Sequence, residues 1–354
     1  TRQGGLSMRN RILKMSTAVA ALAGAGGAQA VQLYGAVDTF VSYAKVGATS
    51  TAALQSGGTS TSRFGLRDSE DLGGGWKANF QLESGFEADT GRQANPGALF
   101  NRESWVGISH AQYGELRLGR VYPAYLPLNA DPFYGVGKLS PFASFFMLAH
   151  DLGPGASAVA ARQAKSIVYT TPSVGGATLK LLVAPSGNVT GPRTENAGAV
   201  AEVKQGPWHA AASYNAVWKL RAPGASQAVR SDIVSAALAH DFGKFTLLAA
   251  YNAIRPNADN TYLAQAATLG TEIKVGRDVI RASVAYRNVS GQPNSSVGVL
   301  VGYDYTLSKQ SNLYARVGSL RNQGKGRMHY LAAPINTPGE SMPFIVALGL
   351  RHKF

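Results

Sequence analysis

From Thr61 to Phe86 the chain alternates between apolar and polar positions on both sides of a turn. Phe64 and Leu66 are interleaved with Arg63, Gly65 and Arg67. After an acidic, glycine-rich turn, Trp76, Ala78, Phe80 and Leu82 are interleaved with Lys77, Asn79, Gln81 and Glu83. A period of two predicts two strands and a tight turn, each strand with one apolar and one polar face. The polar faces carry full charges. A soluble sheet buries its apolar face under a second layer. A membrane barrel shows that face to lipid and turns the charged one toward a water-filled lumen.

The same pattern continues along the chain and predicts sixteen strands: 32–45, 60–68, 75–86, 102–110, 114–121, 163–171, 176–185, 197–205, 207–220, 228–241, 244–254, 263–275, 277–289, 296–306, 311–321 and 344–354. The links after even-numbered strands are short, as at Ala111–Tyr113, Gly206, Phe242–Gly243 and Gly276. Those after odd-numbered strands are usually longer and rich in Gly, Pro, Asn and Ser. Short turns at one end and long loops at the other are the asymmetry of a transmembrane barrel. One connection stands apart. From Tyr122 to Ala161 it carries several prolines and the aromatics Phe133, Tyr134, Phe142, Phe145 and Phe146. Disordered segments are poor in aromatics, so this one packs against something. In a barrel the space available to it is the lumen.

Composition excludes other classes. Mean hydropathy lies near zero, and after the leader no stretch offers the roughly 20 apolar residues that a spanning helix needs. The absence of Cys removes disulfide frameworks, thiolate metal sites and cysteine nucleophiles together. The six histidines show no metal-ligand spacing, and neither a nucleophile elbow nor a phosphate-binding loop occurs, so no enzyme and no cofactor is expected. The net charge of +14 is spread over alternating strand positions, without the clustered patch of a nucleic-acid binder. Residues 1–30 read as upstream residues plus a cleaved leader. Arg9, Arg11 and Lys14 precede a small apolar run ending in Ala28-Gln29-Ala30, with Met8 the expected start. Residues 31–354 then form the barrel domain.

The stretch Ser62–Phe86, Phe100-Asn101-Arg102, Leu118-Gly119-Arg120 before the long loop, and the terminal Phe354 resemble the general porins of Gram-negative bacteria. The likeness runs the length of the chain from Leu33-Tyr34-Gly35. It implies an all-β, 16-stranded antiparallel transmembrane β-barrel whose long third loop folds into the lumen and narrows it. It also implies a homotrimer in outer-membrane lipid, inserted by the barrel-assembly machinery, and passive diffusion of ions and small hydrophilic solutes. The resemblance puts an arginine ladder at Arg63, Arg102 and Arg162, with Arg67 continuing it toward the periplasm. Asp131 matches the acid on the constriction loop, and Phe354 the assembly signal. A second loop acid is missing where the chain reads Pro132-Phe133-Tyr134-Gly135-Val136-Gly137, and Asp151 is an unaligned substitute. Lys165 is a further departure toward positive charge.

A preference for small anions follows as an expectation. Asp38 and Glu83, both expected to be luminal, lie on other strands with no motif tying them to the narrowest ring. Alternation with Arg102 puts Glu103 on the outer face. Tyr34, Tyr43, Trp76, Phe344 and Phe354 suit interfacial aromatic girdles. The competing classes are a secreted adhesin-like or lectin-like β protein and, behind it, a barrel hydrolase assembled across strands.

Overall fold

The computed structural model describes residues 30–123, 131–133, 137–147, 149–187, 193–220, 227–333 and 341–354; the expected leader lies outside them. The barrel unit runs from Gln32 to Phe354. Its strands are β1 (Gln32–Val46), β2 (Thr49–Ser56), β3 (Arg63–Gly73), β4 (Trp76–Glu87), β5 (Arg92–Gln93), β6 (Glu103–His110), β7 (Gly114–Val121), β8 (Gln163–Thr170) and β9 (Ala177–Pro185). The second half comprises β10 (Thr194–Gln205), β11 (Trp208–Leu220), β12 (Ala228–Asp241), β13 (Phe245–Pro256), β14 (Ala264–Val275), β15 (Asp278–Val289), β16 (Asn294–Thr306), β17 (Ser311–Gly324) and β18 (Phe344–Lys353). One helix, α1 (Pro141–Met147), lies in the long loop.

All pairings are antiparallel and the sheet closes on itself into sixteen staves. β1 pairs with β18 from Ala36↔Lys353 to Lys45↔Phe344, which leaves no open edge in a medium that offers backbone groups no partners. The ladder continues past the last strand, where Gly35 and Phe354 exchange both backbone hydrogen bonds at 2.9 and 3.1 Å. Gly35 has no side chain because the Phe354 ring stands where one would be.

The stave beside β1 differs from the expected single strand over 60–68. A two-residue turn after Val46 leads straight into β2, which pairs with the loop half of β1, and β3 pairs with the other half. The break between them is held by Asp38. Its carboxylate accepts hydrogen bonds from the backbone N–H groups of Gly58, Thr59 and Ser60, from the Thr59 hydroxyl at 2.6 Å and from the Tyr314 hydroxyl at 2.5 Å. Asp38 is therefore fully buried under this bend, and it organises backbone instead of lining the channel.

Alternation sorts the two faces. Val106, Ile108, Leu348 and Leu350 stand outward, Leu348 being 63% exposed, which only lipid or another apolar surface makes tolerable. Aromatics gather at the turn end: Trp76 stacks on Tyr113 at 5.6 Å, and Phe242 on Phe245 at 4.7 Å. Tyr34 leaves the expected girdle. It faces inward, and its hydroxyl donates to Glu83.

The long loop turns into the barrel and packs on one side of the inner wall. Ser140 caps α1 by accepting the N–H of Phe142, and Pro141 occupies the first helical turn, where a missing N–H costs nothing. Phe142 and Phe146, one helical turn apart, stack at 4.2 Å. With Phe133 and Phe145 they are buried against Phe40 and Ala44 of β1 and Ala250, Ala266, Ala285, Leu300 and Ala347 of β13–β18. Small wall residues make the room. At Gly270 an added Cβ would lie 2.6 Å from Pro132 of the loop. Farther along, Leu152, Ala156 and Val159 pack on Ile233, Ile254 and Val289. The backbone of Lys138 bonds to Gly57 at 2.9 Å and its ammonium to Glu87 at 2.9 Å, tying the loop to the β2–β3 break. Tyr134, expected to pack here, lies outside the described residues.

Candidate functional site

The wall that the loop leaves free belongs to β3, β4, β6 and the start of β8, and here the predicted arginines converge. Glu83, inward on β4, is the centre. Arg63 Nε lies 3.3 Å from one of its oxygens and Arg102 Nε 2.5 Å from the other, while the Tyr34 hydroxyl donates at 3.0 Å. Arg102 Nη2 also donates to the Tyr122 hydroxyl at 3.0 Å. The Arg162 guanidinium carbon lies over the Tyr122 ring, 3.3 Å from its centroid. Tyr122, the first residue of the long loop, therefore holds two guanidiniums with one side chain. Arg162 Nη1 donates to the Ala161 carbonyl at 2.7 Å, and its Nε and Nη2 are buried with no hydrogen-bond partner among the described residues. Burial pulls Arg162 down to about 10, with Arg102 contributing, which leaves it cationic at neutral pH.

Two expectations change at this point. Glu83 was expected away from the narrowest ring, yet it bridges Arg63 and Arg102. Glu103 was expected outward, yet it pairs directly opposite Glu83 and shares its inward face, with Gln81 donating to its carboxylate. The reason is a bend at Arg102 that breaks the alternation. Asn101 Oδ1 accepts the Gly85 N–H at 2.8 Å, and Arg120 Nε donates to the Asn101 carbonyl at 2.7 Å. Both Arg102 and Glu103 consequently turn toward the lumen.

The remaining predicted residues lie apart from this group. Arg67 is on the same face of β3, two pleats nearer the turn end, where it donates to Gln32 at 2.9 Å and lies 4.9 Å above the Tyr34 ring. Lys165 sits in a bulge with φ 55° and shares no partner with the arginines. Its ammonium donates to the Ser186 carbonyl at 2.8 Å and lies 3.6 Å from Glu195. Asp131 is buried. It accepts the Ser140 hydroxyl at 2.5 Å and the Phe133 N–H at 3.1 Å, so its carboxylate shapes the loop around α1.

The opposite wall carries charges that motif reasoning passed over. Arg281, Asp304, Arg316 and Glu272 form one chain of ion pairs: Arg281 Nε to Asp304 at 2.7 Å, Arg316 Nη2 to Asp304 at 2.5 Å, and Arg281 to Glu272. Arg281 also donates to the Pro132 carbonyl at 2.6 Å, fastening the loop. Arg287 grips Asp151 with both terminal nitrogens, at 2.6 and 2.7 Å, and Asn294 adds a third bond at 2.9 Å. Burial opposes the charged form of Asp151, but Arg287 and Asn294 outweigh it and hold the carboxyl below its ordinary range. The signal was present in the pattern, since each of these strand charges alternates with large outward apolar residues. Which arginine meets which acid depends on pairings across the sheet and on the loop.

A family profile described as Gram-negative porin matches residues 16–325. Outer membrane porin protein 32 of Delftia acidovorans is 30% identical over 358 residues, covering 96% of this chain and 99% of its own. A second outer membrane porin protein, from Bordetella pertussis, is 38% identical over 183 residues, 46% of each protein. Among solved structures, an anion-selective porin from Comamonas acidovorans is similar with a TM-score of 0.83 at 27% identity, covering 92% of this chain and 99% of that one.

Proposed function

The chain belongs to the Gram-negative porin family, and from that membership we propose that it is an anion-preferring diffusion channel whose selectivity resides in Arg63, Arg102 and Arg162. It is an outer-membrane channel for ions and small hydrophilic solutes. Short turns face the periplasm and long loops the exterior, as in barrels of this class.

The observation that carries the anion preference is the uneven division of charge between the two walls. On the loop side, Arg281 and Arg316 are matched by Glu272 and Asp304, Arg287 by Asp151, and Lys138 by Glu87. On the free side three guanidiniums share Glu83 and Glu103, and Arg67 adds a fourth with no acidic partner among the described residues. The surplus is smaller than one in which Glu83 stood elsewhere, but it remains positive. The Debye length at physiological ionic strength, about 8 Å, is comparable to a narrow bore, so these charges stay incompletely screened where permeants pass. Arg162 adds a further cation to this wall, its guanidinium seated over the Tyr122 ring. Guanidinium forks suit carboxylates and phosphates. The similarity to the anion-selective porin from Comamonas acidovorans supports the same reading.

Within this proposal, three barrels associate side by side through outward apolar faces, and Phe354 is read by the machinery that inserts them. Liposome swelling with solutes of matched size tests the selectivity. Anionic solutes should enter faster than neutral ones and neutral faster than cationic, with the spread narrowing in concentrated salt. Equal rates for all three would overturn the assignment.

A further inference from the structure

β8 begins with an irregularity directly beside Arg162. From Gly119↔Ser166 to Val121↔Gln163, β7 advances two residues while β8 advances three, so β8 carries one residue too many for the ladder. An extra residue on one of two antiparallel strands is a β-bulge, and the surplus is absorbed at Lys165, which has φ 55°. Among the described non-glycine residues only Lys165 and Asn260 have a positive φ. Asn visits the left-handed region routinely and Lys does not, so the surroundings must impose it on Lys165. They do so from three sides. The Ser166 hydroxyl donates to the carbonyls of Gln163, at 3.1 Å, and Ala164, at 3.4 Å. The Lys165 ammonium donates at 2.8 Å to the carbonyl of Ser186, just past β9. Across the ladder, Gly119 at φ 141° admits no side chain, since a Cβ would lie 2.2 Å from the Ser104 carbonyl.

The consequence is where Arg162 falls. It precedes Gln163, so the bulge leaves it level with Tyr122, the residue after Val121, and its guanidinium carbon lies 3.3 Å from the centroid of that ring. In a regular β8, with Ser166 still opposite Gly119, Ala164 would stand opposite Val121. Arg162 would then move on to the level of Pro123, and a one-residue slip also turns side chains to the other face. Gln163, buried and bonded to Glu195 at 3.2 Å, would give up its place as well. We propose that Lys165 is a positioning residue for the selectivity of the pore, its left-handed backbone rather than its charge setting Arg162 on Tyr122 beside Arg102. The ammonium itself is engaged by Ser186 and Glu195, and Arg102 reaches the same Tyr122 from the other side through its hydroxyl. This rests on the anion preference proposed above and states how one of its three arginines is placed.

Planar-bilayer recordings in a potassium chloride gradient test it, because they read only channels that have inserted. Arg162→Gln sets the scale: losing a unit charge about 4 Å from the permeant should lower the chloride-over-potassium permeability ratio roughly fivefold. Lys165→Gly removes the ammonium but adopts a positive φ freely, so it should keep the wild-type ratio. Lys165→Val removes the same charge and cannot hold that φ, so its ratio should fall to the Arg162→Gln level. Deleting Ala164 from the Lys165→Val chain takes out the surplus residue. Valine then sits in a regular strand with Gln163 opposite Val121, and the wild-type ratio should return. That deletion variant decides the matter even if Lys165→Val alone yields no channels: a wild-type ratio supports positioning, and a lowered one overturns it. Equal loss in the Gly and Val variants would also overturn it, by making Lys165 a pore charge. So would a Val variant that inserts with the wild-type ratio. A wild type that follows potassium would overturn the anion preference and this assignment with it.

Discussion

Glu83 sets how much positive charge the free wall shows, because one carboxylate serves both Arg63 and Arg102. Glu83→Gln removes that counter-charge and keeps one acceptor oxygen, so only one of the two guanidiniums retains its partner. A unit charge about 4 Å away is worth roughly 1 kcal/mol even in water, so anion occupancy beside Arg102 should rise about fivefold in dilute salt. Single-channel recordings would show this as a larger chloride permeability ratio. An unchanged ratio would mean that Arg162 and Arg67 carry the selectivity alone. The role of Glu83 is also where residue-level reading of the sequence stopped. Inward parity for Glu83 was legible from Trp76 to Glu83 as a plain alternation. Its place between two arginines was not, because Arg63 and Arg102 reach it from neighbouring strands. Glu103 was misplaced for a local reason: alternation holds only inside a strand, and Asn101 and Arg120 bend the chain just before this one starts.

At the scale of the element, the constriction loop is held by charge pairs at both ends of its inward course. Arg281 holds Pro132 near the start and Arg287 holds Asp151 near the end, with the buried aromatics of α1 between them. Removing one partner of a largely buried pair typically costs about 3 kcal/mol or more. Arg287→Gln should therefore free the far end of the loop and turn a quiet open channel into a flickering one, while the barrel still resists heat in detergent. Acid should do the same late. The Asp151 carboxyl is depressed, so its contribution to anchoring is fully present above the ordinary carboxylate value, about 4, and is lost only as pH falls through its lower folded value. Open-channel noise should stay flat at pH 5 and rise well below 4. Noise already rising at pH 5 would mean that another group holds the loop. Strand-period alternation made the staves readable, and the aromatic content of the loop made its packing readable. β2 was missed because Thr49–Ser56 carries no strong apolar alternation, and the bend after it is fixed by Asp38 from another strand.

For the whole molecule, closure depends on the last strand meeting the first. Deleting Phe354 removes a ring packed over Gly35 and the last pair of hydrogen bonds in the β1–β18 seam. Surface levels in cells should fall sharply, because an unclosed edge in lipid leaves groups costing several kcal/mol each, while channels that do insert should conduct normally. Wild-type surface levels from the truncated chain would remove Phe354 from assembly. The pore itself is judged most directly by its zero-current potential in a tenfold potassium chloride gradient, measured for wild type and for Arg63→Ala combined with Arg102→Ala. The charge on the free wall predicts a wild-type potential of the sign set by chloride, larger in dilute salt, and a shift toward potassium in the double variant, where Glu83 is left without its partners. A wild type that already follows potassium, or a double variant whose potential does not move, would contradict it.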